Sequence, residues 1–220
     1  MPIFKTADLI VFDCDGVLLD SNSMKIDAMQ SALRLSNKFS SSQMSACVDY
    51  FKYNFGKSRY HHVAHFVSLL QLPNEAAEEL EKAVIDSFSE QVEELYLKAP
   101  LAVGVLELLS SLRDKKLFVA SGSEQEQLRR VLKKRGISIH FDDILGSPTS
   151  KAKNIATILE NNEHSQAVMV GDALADYEAA TMNNIKFVFY SPLSNVKDEM
   201  LQAAEIENFH VINDYSEVSK

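Results

Sequence analysis

The chain is short of cysteine, of basic charge and of long apolar runs, and each shortage excludes something. Two cysteines, Cys14 and Cys47, among 220 residues give neither a disulfide framework nor the paired spacing of a thiolate metal site. No stretch approaches the roughly 20 apolar residues that a membrane-spanning helix needs. The amino-terminal MPIFKTADLIVFDCD meets carboxylates too early for a secretory signal, and the cytoplasm is the expected location. With 22 basic against 31 acidic residues the formal net charge is −9, which argues against nucleic acid or an anionic membrane as a partner. There are no internal repeats and no low-complexity tracts. What remains, 46% hydrophobic and 24% charged, is the composition of an ordinary globular protein.

Against that background LIVFDCDGVLL, residues 9–19, stands out. Leu9–Ile10–Val11–Phe12 reads as a strand buried on both faces, yet Asp13 and Asp15 follow it one residue apart, with Gly16 behind them. Two carboxylates at a buried strand end repel each other and are costly to desolvate. A bound cation is the usual compensation. Cys14, between two acids, is a poor thiolate and reads as an inert buried residue.

From about residue 101 strands and helices alternate. VLELLSSLRDKK reads as a helix, LFVASGS as a strand, and EQEQLRRVLKKRG as a helix closed by Gly136. FDDILGS, QAVMVGD, KFVFYS and HVIND read as further strands, separated by helices in SKAKNIATILENN, ADYEAATMNN and NVKDEMLQAAE. Such alternation predicts an α/β fold, a Rossmann-like parallel sheet with right-handed crossovers. Residues 21–98 break the rhythm with four helical segments and no strand between them. The expected organisation is an α/β core of residues 1–20 and 99–220, interrupted by an α-helical cap of residues 21–98.

In an open parallel sheet, ligands bind beyond the carboxyl ends of the strands. Asp13 and Asp15 follow the first strand, Ser121 and Gly122 the second and Asp172 a later one, with Lys151 opening a helix between them. The informative polar residues thus gather at one sheet edge. Lys153 competes with Lys151. With Ala152, Ile155, Ala156 and Leu159 as the buried stripe of that helix, Lys151 lies at the stripe's border and Lys153 on the solvent face. In GDALAD, Asp176 follows Asp172 by about one helical turn. There it either looks into the same site or only answers the helix dipole.

FDCDGVLLD, VASGS, the SPTSK lysine and GDALAD resemble, in order and spacing, the four motifs of the haloacid dehalogenase superfamily, and the helical insertion falls at that family's cap position. The likeness is to its phosphoglycolate phosphatase and β-phosphoglucomutase branch. The resemblance implies a magnesium-dependent phosphoric monoester hydrolase with Asp13 as nucleophile and Asp15 as the acid and base. Asp13, Asp15 through its carbonyl, and Asp172 would be the magnesium ligands, with Asp176 supporting them from behind. Gly16, Ser121 and Gly122 would bind the substrate, Ser121 with the Gly122 N–H holding a phosphate oxygen, and Lys151 would neutralise the charge being transferred. Two departures bear on this. Ala173 stands where the family often has Ser or Thr, which removes a supporting hydroxyl. Asp15 argues against the halide-removing and phosphonate-cleaving branches, which lack that second acid.

FGKSRYHHVAHF carries Lys57, Arg59, His61, His62 and His65. GKSR resembles a cap motif of sugar-phosphate enzymes in the family, which would place Arg59 on a carboxylate or second phosphate; otherwise it belongs to a solvated helix start. The histidines lack acidic or cysteine partners at zinc spacing. The expected partner is a small phosphorylated metabolite such as a sugar phosphate or phosphoglycolate. A monomer is expected, although no residue pattern fixes the oligomeric state. A phosphomutase would use the same core, and a phospho-receiver domain shares the clustered acids, Ser/Thr and lysine but not DxDG or so large an insertion. A metal-binding glycosyltransferase would leave the lysine and GDALAD unexplained. An EF-hand fails because Gly16 comes fourth rather than sixth.

Overall fold

The computed structural model describes residues 2–217; Met1 and residues 218–220, assigned above to the two ends of the core, lie outside the described residues. A short helix α1 (Pro2–Thr6) leads into β1 (Leu9–Phe12). Four helices follow with no strand between them: α2 (Asn22–Leu35), α3 (Ser41–Tyr53), α4 (Arg59–Ser68) and α5 (Asn74–Lys98). The chain then runs α6 (Val105–Ser111), β2 (Lys116–Glu124), α7 (Gln125–Lys134), β3 (Asp143–Ser147) and α8 (Lys151–Glu160). It ends with β4 (Ala167–Gly171), α9 (Leu174–Met182), β5 (Lys186–Tyr190), α10 (Lys197–Glu207) and β6 (His210–Ile212). The six strands pair in the order β3-β2-β1-β4-β5-β6, each pairing parallel. This is the doubly wound α/β arrangement that the alternation implied. Among the described residues no helix is long and apolar enough to cross a membrane.

Alternation along the strands divides the core in two. Ile10, Phe12, Leu117, Val119, Val168 and Val170 face one side with Leu108 and Leu109 of α6 and Leu128, Val131 and Leu132 of α7. Leu9, Val11, Phe118, Ala120 and Met169 face the other with Ile155 and Ile158 of α8, Ala179 and Ala180 of α9, and Met200 of α10. Both faces are covered, which is why β1, β4 and β5 are near-continuous apolar runs. The inserted helices bury their own apolar stripes into the first cluster. Leu80, Val84, Phe88, Val92 and Tyr96 of α5 are buried there, four residues apart.

Boundaries differ from expectation in three places. α1 has five residues, too few for a helical period to show. The helix opening at Val105 stops at Ser111 rather than Lys116, because Lys116 pairs with Leu9 in the sheet and the intervening residues turn back to reach it. On α8 the buried set is Lys151, Asn154, Ile155 and Ile158, while Ala152, Ala156 and Leu159 are only partly covered. The inward face is therefore rotated toward Lys151. α7 ends as expected: Gly136 takes φ +74°, and Ile137 N–H reaches back to the Leu132 carbonyl at 3.1 Å, the closing bond of a Schellman cap.

Candidate active site

The order of the strands places β1 at the centre of the sheet, where the chain passes from β1 to β2 on one side and returns from β3 to β4 on the other, opening a crevice beyond the strand ends. Asp13 continues the ladder by one bond, its N–H donating to the Val170 carbonyl at 2.9 Å, so its side chain stands at the mouth of that crevice. Asp172 emerges beside it from β4. Ser150 caps α8, accepting from Lys153 N–H, which makes Lys151 the first helical residue. Side chains lean toward a helix's N-terminus, and that lean carries the Lys151 ammonium over the strand ends, while Lys153 is exposed.

Lys151 Nζ lies 3.1 Å from Asp13 Oδ1 and is also paired with Asp176 Oδ1. The other Asp176 oxygen accepts the Asp172 and Ala173 N–H groups, each at 3.1 Å. Asp176 thus ties the turn after β4 to the lysine, and Gly171 makes room for it: a Cβ there would fall 2.2 Å from Asp176 Cβ. Asn22 Nδ2 donates to Asp172 Oδ2 at 2.7 Å and to the Leu193 carbonyl at 2.8 Å. Asp172 Oδ1 is buried without a hydrogen bond, and Asp13 Oδ1 has only the Lys151 ammonium as its partner. Asp13, Asp172 and Asp176 each offer an oxygen within 4.8 Å of the others. Burial pushes the Asp13 carboxyl up to about 7 against the pull of Lys151. Burial, with the charges of Asp176 and Asp13, drives Asp172 well above the carboxylate range. Burial would lower Lys151, but Asp13 and Asp176 more than offset it and hold it charged. Three acids face one ammonium, and the excess negative charge and the unpaired Asp172 oxygen suit a divalent cation.

Asp15 points elsewhere. Its Oδ1 accepts from Ser21 Oγ at 2.6 Å, and its Oδ2 lies 2.9 Å from each of Lys25 Nζ, Tyr96 OH and Ser123 Oγ. Burial alone would raise this carboxyl, but Lys25 with the Ser21 and Tyr96 hydrogen bonds holds it below its ordinary value. The turn behind it is tight. Gly16 adopts φ +72°, and a Cβ there would lie 2.1 Å from Asp172 Oδ2 and 2.5 Å from Asn22 Nδ2. Gly16→Ala is accordingly expected to cost about 2–5 kcal/mol from left-handed strain and overlap, measured by denaturant unfolding, and to displace Asp172. Cys14 is buried, and burial with its two acidic neighbours pushes its thiol well above the ordinary range.

Ser121 is buried and its Oγ accepts from Ser123 N–H at 3.2 Å. Gly122 lies directly beneath the loop between α3 and α4: a Cβ on it would come 2.3 Å from the Gly56 carbonyl oxygen and 2.7 Å from that of Lys57. Only a glycine lets the two backbones touch. Arg59 is buried between elements, donating to Ser89 Oγ at 2.5 Å and to Gln127 Oε1 at 2.7 Å, with its guanidinium 5.3 Å from the centre of the Phe88 ring. Beside it a pocket of about 10 Å³, room for about one water, is walled by Lys25, Lys57, Arg59, His62, Phe51 and Phe88, with Gly122 and Ser123 at its floor. His62 in that wall is buried, and burial with His61 and Lys25 nearby pushes its imidazole down to about 3, so it is neutral at pH 7.

The structure therefore brings Asp13, Lys151, Asp172 and Asp176 into contact, sets Asp15, Gly16, Ser121 and Gly122 around them, and leaves Arg59 in the pocket wall. Sequence reasoning missed Ser21, Asn22, Lys25, Tyr96 and Ser123. Ser21, Asn22 and Lys25 carry a faint signal, since Lys25 lies four residues from Ser21 and three from Asn22, spacings that share a face at a helix start. Tyr96 carries none, because it reads as one more member of an apolar stripe.

The sequence model of the haloacid dehalogenase-like hydrolase family matches residues 7–182, a span holding every acidic and basic residue of the cluster. The chain belongs to the haloacid dehalogenase-like hydrolases. Solved structures of similar fold agree with that membership. A protein from Clostridium acetobutylicum described as a "predicted phosphatase" superposes with a TM-score of 0.75 at 20% identity, covering 97% of this chain and 96% of that one. The haloacid dehalogenase-like family protein SP0104 from Streptococcus pneumoniae gives 0.72 at 19% identity, covering 97% of each chain. A "predicted phosphoglycolate phosphatase" from Haemophilus somnus gives 0.66 at 17% identity, covering 96% of each chain. No curated protein matches the chain in sequence. As a haloacid dehalogenase-like hydrolase, the protein carries its acid–lysine cluster at the strand ends where the fold places ligands.

Proposed function

We propose that this hydrolase is a magnesium-dependent phosphatase of small phosphate monoesters, with residues 21–98 acting as a cap over a core of residues 1–20 and 99–220. The observation that carries the reading is Asp13: a buried carboxylate whose Oδ1 has the buried Lys151 ammonium, 3.1 Å away, as its partner. That is how a nucleophile is presented beside the charge that will neutralise its target. Asp13 attacks phosphorus in line while the bond to the alcohol oxygen breaks. Asp15, which must first take up a proton, gives it to the departing alkoxide. Water then attacks the aspartyl-phosphate, its proton returns to Asp15, and Asp13 is regenerated as phosphate leaves. Lys151, Ser121 Oγ and the Gly122 N–H stabilise the phosphoryl oxygens.

Magnesium would be held by the Asp13 carboxylate and the unpaired Asp172 oxygen together with the Asp15 carbonyl. When bound it supplies charge neutralisation for the carboxylates and the transferring group. Asp176, with both oxygens engaged, fits a supporting place behind those ligands. Lys25, Lys57 and Arg59 give the pocket a positive lining, which suits an alcohol bearing its own anionic group, as in phosphoglycolate or a sugar phosphate. Arg59, anchored by Ser89 and Gln127, contributes charge from a fixed position.

Phosphate release from a panel of small esters, with magnesium and with a chelator, tests the proposal. Metal-dependent release from one or a few short anionic esters is expected. A folded, magnesium-binding protein that releases phosphate from none would overturn it, and an isomerised ester formed without net release would identify a mutase.

A further inference from the structure

Asp15 is held by more than its own turn. Besides Ser21, it meets Lys25 of α2, Tyr96 of α5 and Ser123 of β2, and those three also meet one another. Tyr96 OH is 2.6 Å from Ser123 Oγ, and Lys25 Nζ is 3.1 Å from the same oxygen. Two hydroxyl protons serve three short contacts, so one hydroxyl donates to Asp15 while the other donates to its neighbour. Asp15 therefore accepts from Ser21, from Lys25 and from either hydroxyl, a geometry fixed from three directions. Two of the groups that fix it belong to the inserted helices.

We propose that Lys25 and Tyr96 are positioning residues for Asp15: by aiming its carboxylate, the cap helices set the proton transfer to the leaving alkoxide as well as the fit of the substrate. The inference rests on the phosphatase reading above. A purely structural role explains the arrangement less well. The Lys25–Asp15 pair is buried, with side chains 11% and 4% exposed, and burying an ion pair generally costs in desolvation about what it gains in attraction. What such a pair does supply, with a tyrosine and a serine closing round it, is orientation. Lys25 also lines the pocket beside Arg59, so the group that aims Asp15 borders the space proposed for the substrate.

The chemistry of the leaving group separates the two roles. An alkyl ester such as phosphoglycolate expels a basic alkoxide that needs a proton as the P–O bond breaks. Acetyl phosphate expels acetate, which leaves as a stable anion and needs none. The first turnover of each, followed by rapid quench in magnesium buffer at saturating substrate, is compared for wild type, Tyr96→Phe, Lys25→Met and Lys25→Arg. Loss of an aimed acid costs on the order of 10²–10⁴-fold at most. Tyr96→Phe and Lys25→Met are expected to slow phosphoglycolate at least about tenfold more than acetyl phosphate, and Lys25→Arg to restore part of the difference. Tyr96→Phe keeps the buried ring, and its melting temperature reports whether the fold is intact. Equal losses on both substrates, or no loss on phosphoglycolate, would overturn the inference while leaving the phosphatase reading in place. A wild type that releases phosphate from acetyl phosphate and from every ester of the panel no faster than buffer would overturn that reading and this inference together.

Discussion

Replacing Asp13 by Asn is expected to lower phosphate release by at least about 10⁴-fold, the scale on which nucleophile removal acts in a covalent mechanism, without lowering stability. The two halves of this expectation have separate causes. The amide occupies the same volume but cannot form the aspartyl-phosphate, so the chemical step goes while Lys151, Asp172 and the crevice remain. For stability the sign runs the other way. Burial holds the Asp13 carboxyl near 7 in the folded protein, above its ordinary 3.8. Above that value the folded state carries a charge that the unfolded chain carries more easily. A neutral amide removes the mismatch, and Lys151 keeps Asp176 as its partner. Melting without divalent cations at pH 8 should therefore give Asp13→Asn a midpoint no lower than wild type. Retained activity would refute the nucleophile assignment. A lost fold would mean that Asp13 serves the structure instead.

How much of this was legible in the sequence depends on the range of the interaction. β1, β4 and β5 are LIVF, AVMVG and KFVFY, runs whose apolar continuity and flanking polar residues are local facts. The four strand-end elements could be placed at one edge because parallel topology follows from strand–helix alternation. Asp15 shows where local reading ends. Its position in DxDG is plain, but its partners Tyr96 and Ser123 lie 81 and 108 residues away, and no periodicity encodes which face of α5 meets which strand end. The same holds for Asn22, which reaches Asp172 across 150 residues. Arg59 illustrates a further difficulty. A lysine–serine–arginine sequence at a helix start says charge and exposure, whereas packing against Phe88, Ser89 and Gln127 buries the arginine.

Asp172→Asn should weaken magnesium binding by about 100-fold or more, a loss at the upper end of what disturbing a metal site costs, with an equal fall in activity at fixed low magnesium. The substitution is pointed because the two oxygens differ. Oδ2 is fixed as an acceptor by Asn22 at 2.7 Å, while Oδ1 is buried and unpaired. The new amide must therefore turn its carbonyl to Asn22 and its NH₂ to the place of Oδ1, where a donor faces the cation. Calorimetric titration of magnesium reads the loss directly, apart from turnover, and melting without metal should change little because the Asn22 bond survives. Asp176→Asn should do the reverse. Both Asp176 oxygens are taken, by Lys151 and by the Asp172 and Ala173 N–H groups, so an amide sets a donor against the buried ammonium and costs about 3–5 kcal/mol. One acid failing through the metal and its neighbour failing through the fold would separate ligand from support. If both variants lost magnesium equally with no loss of stability, Asp176 would itself be a ligand, and Lys151 would have to be held by Asp13 alone.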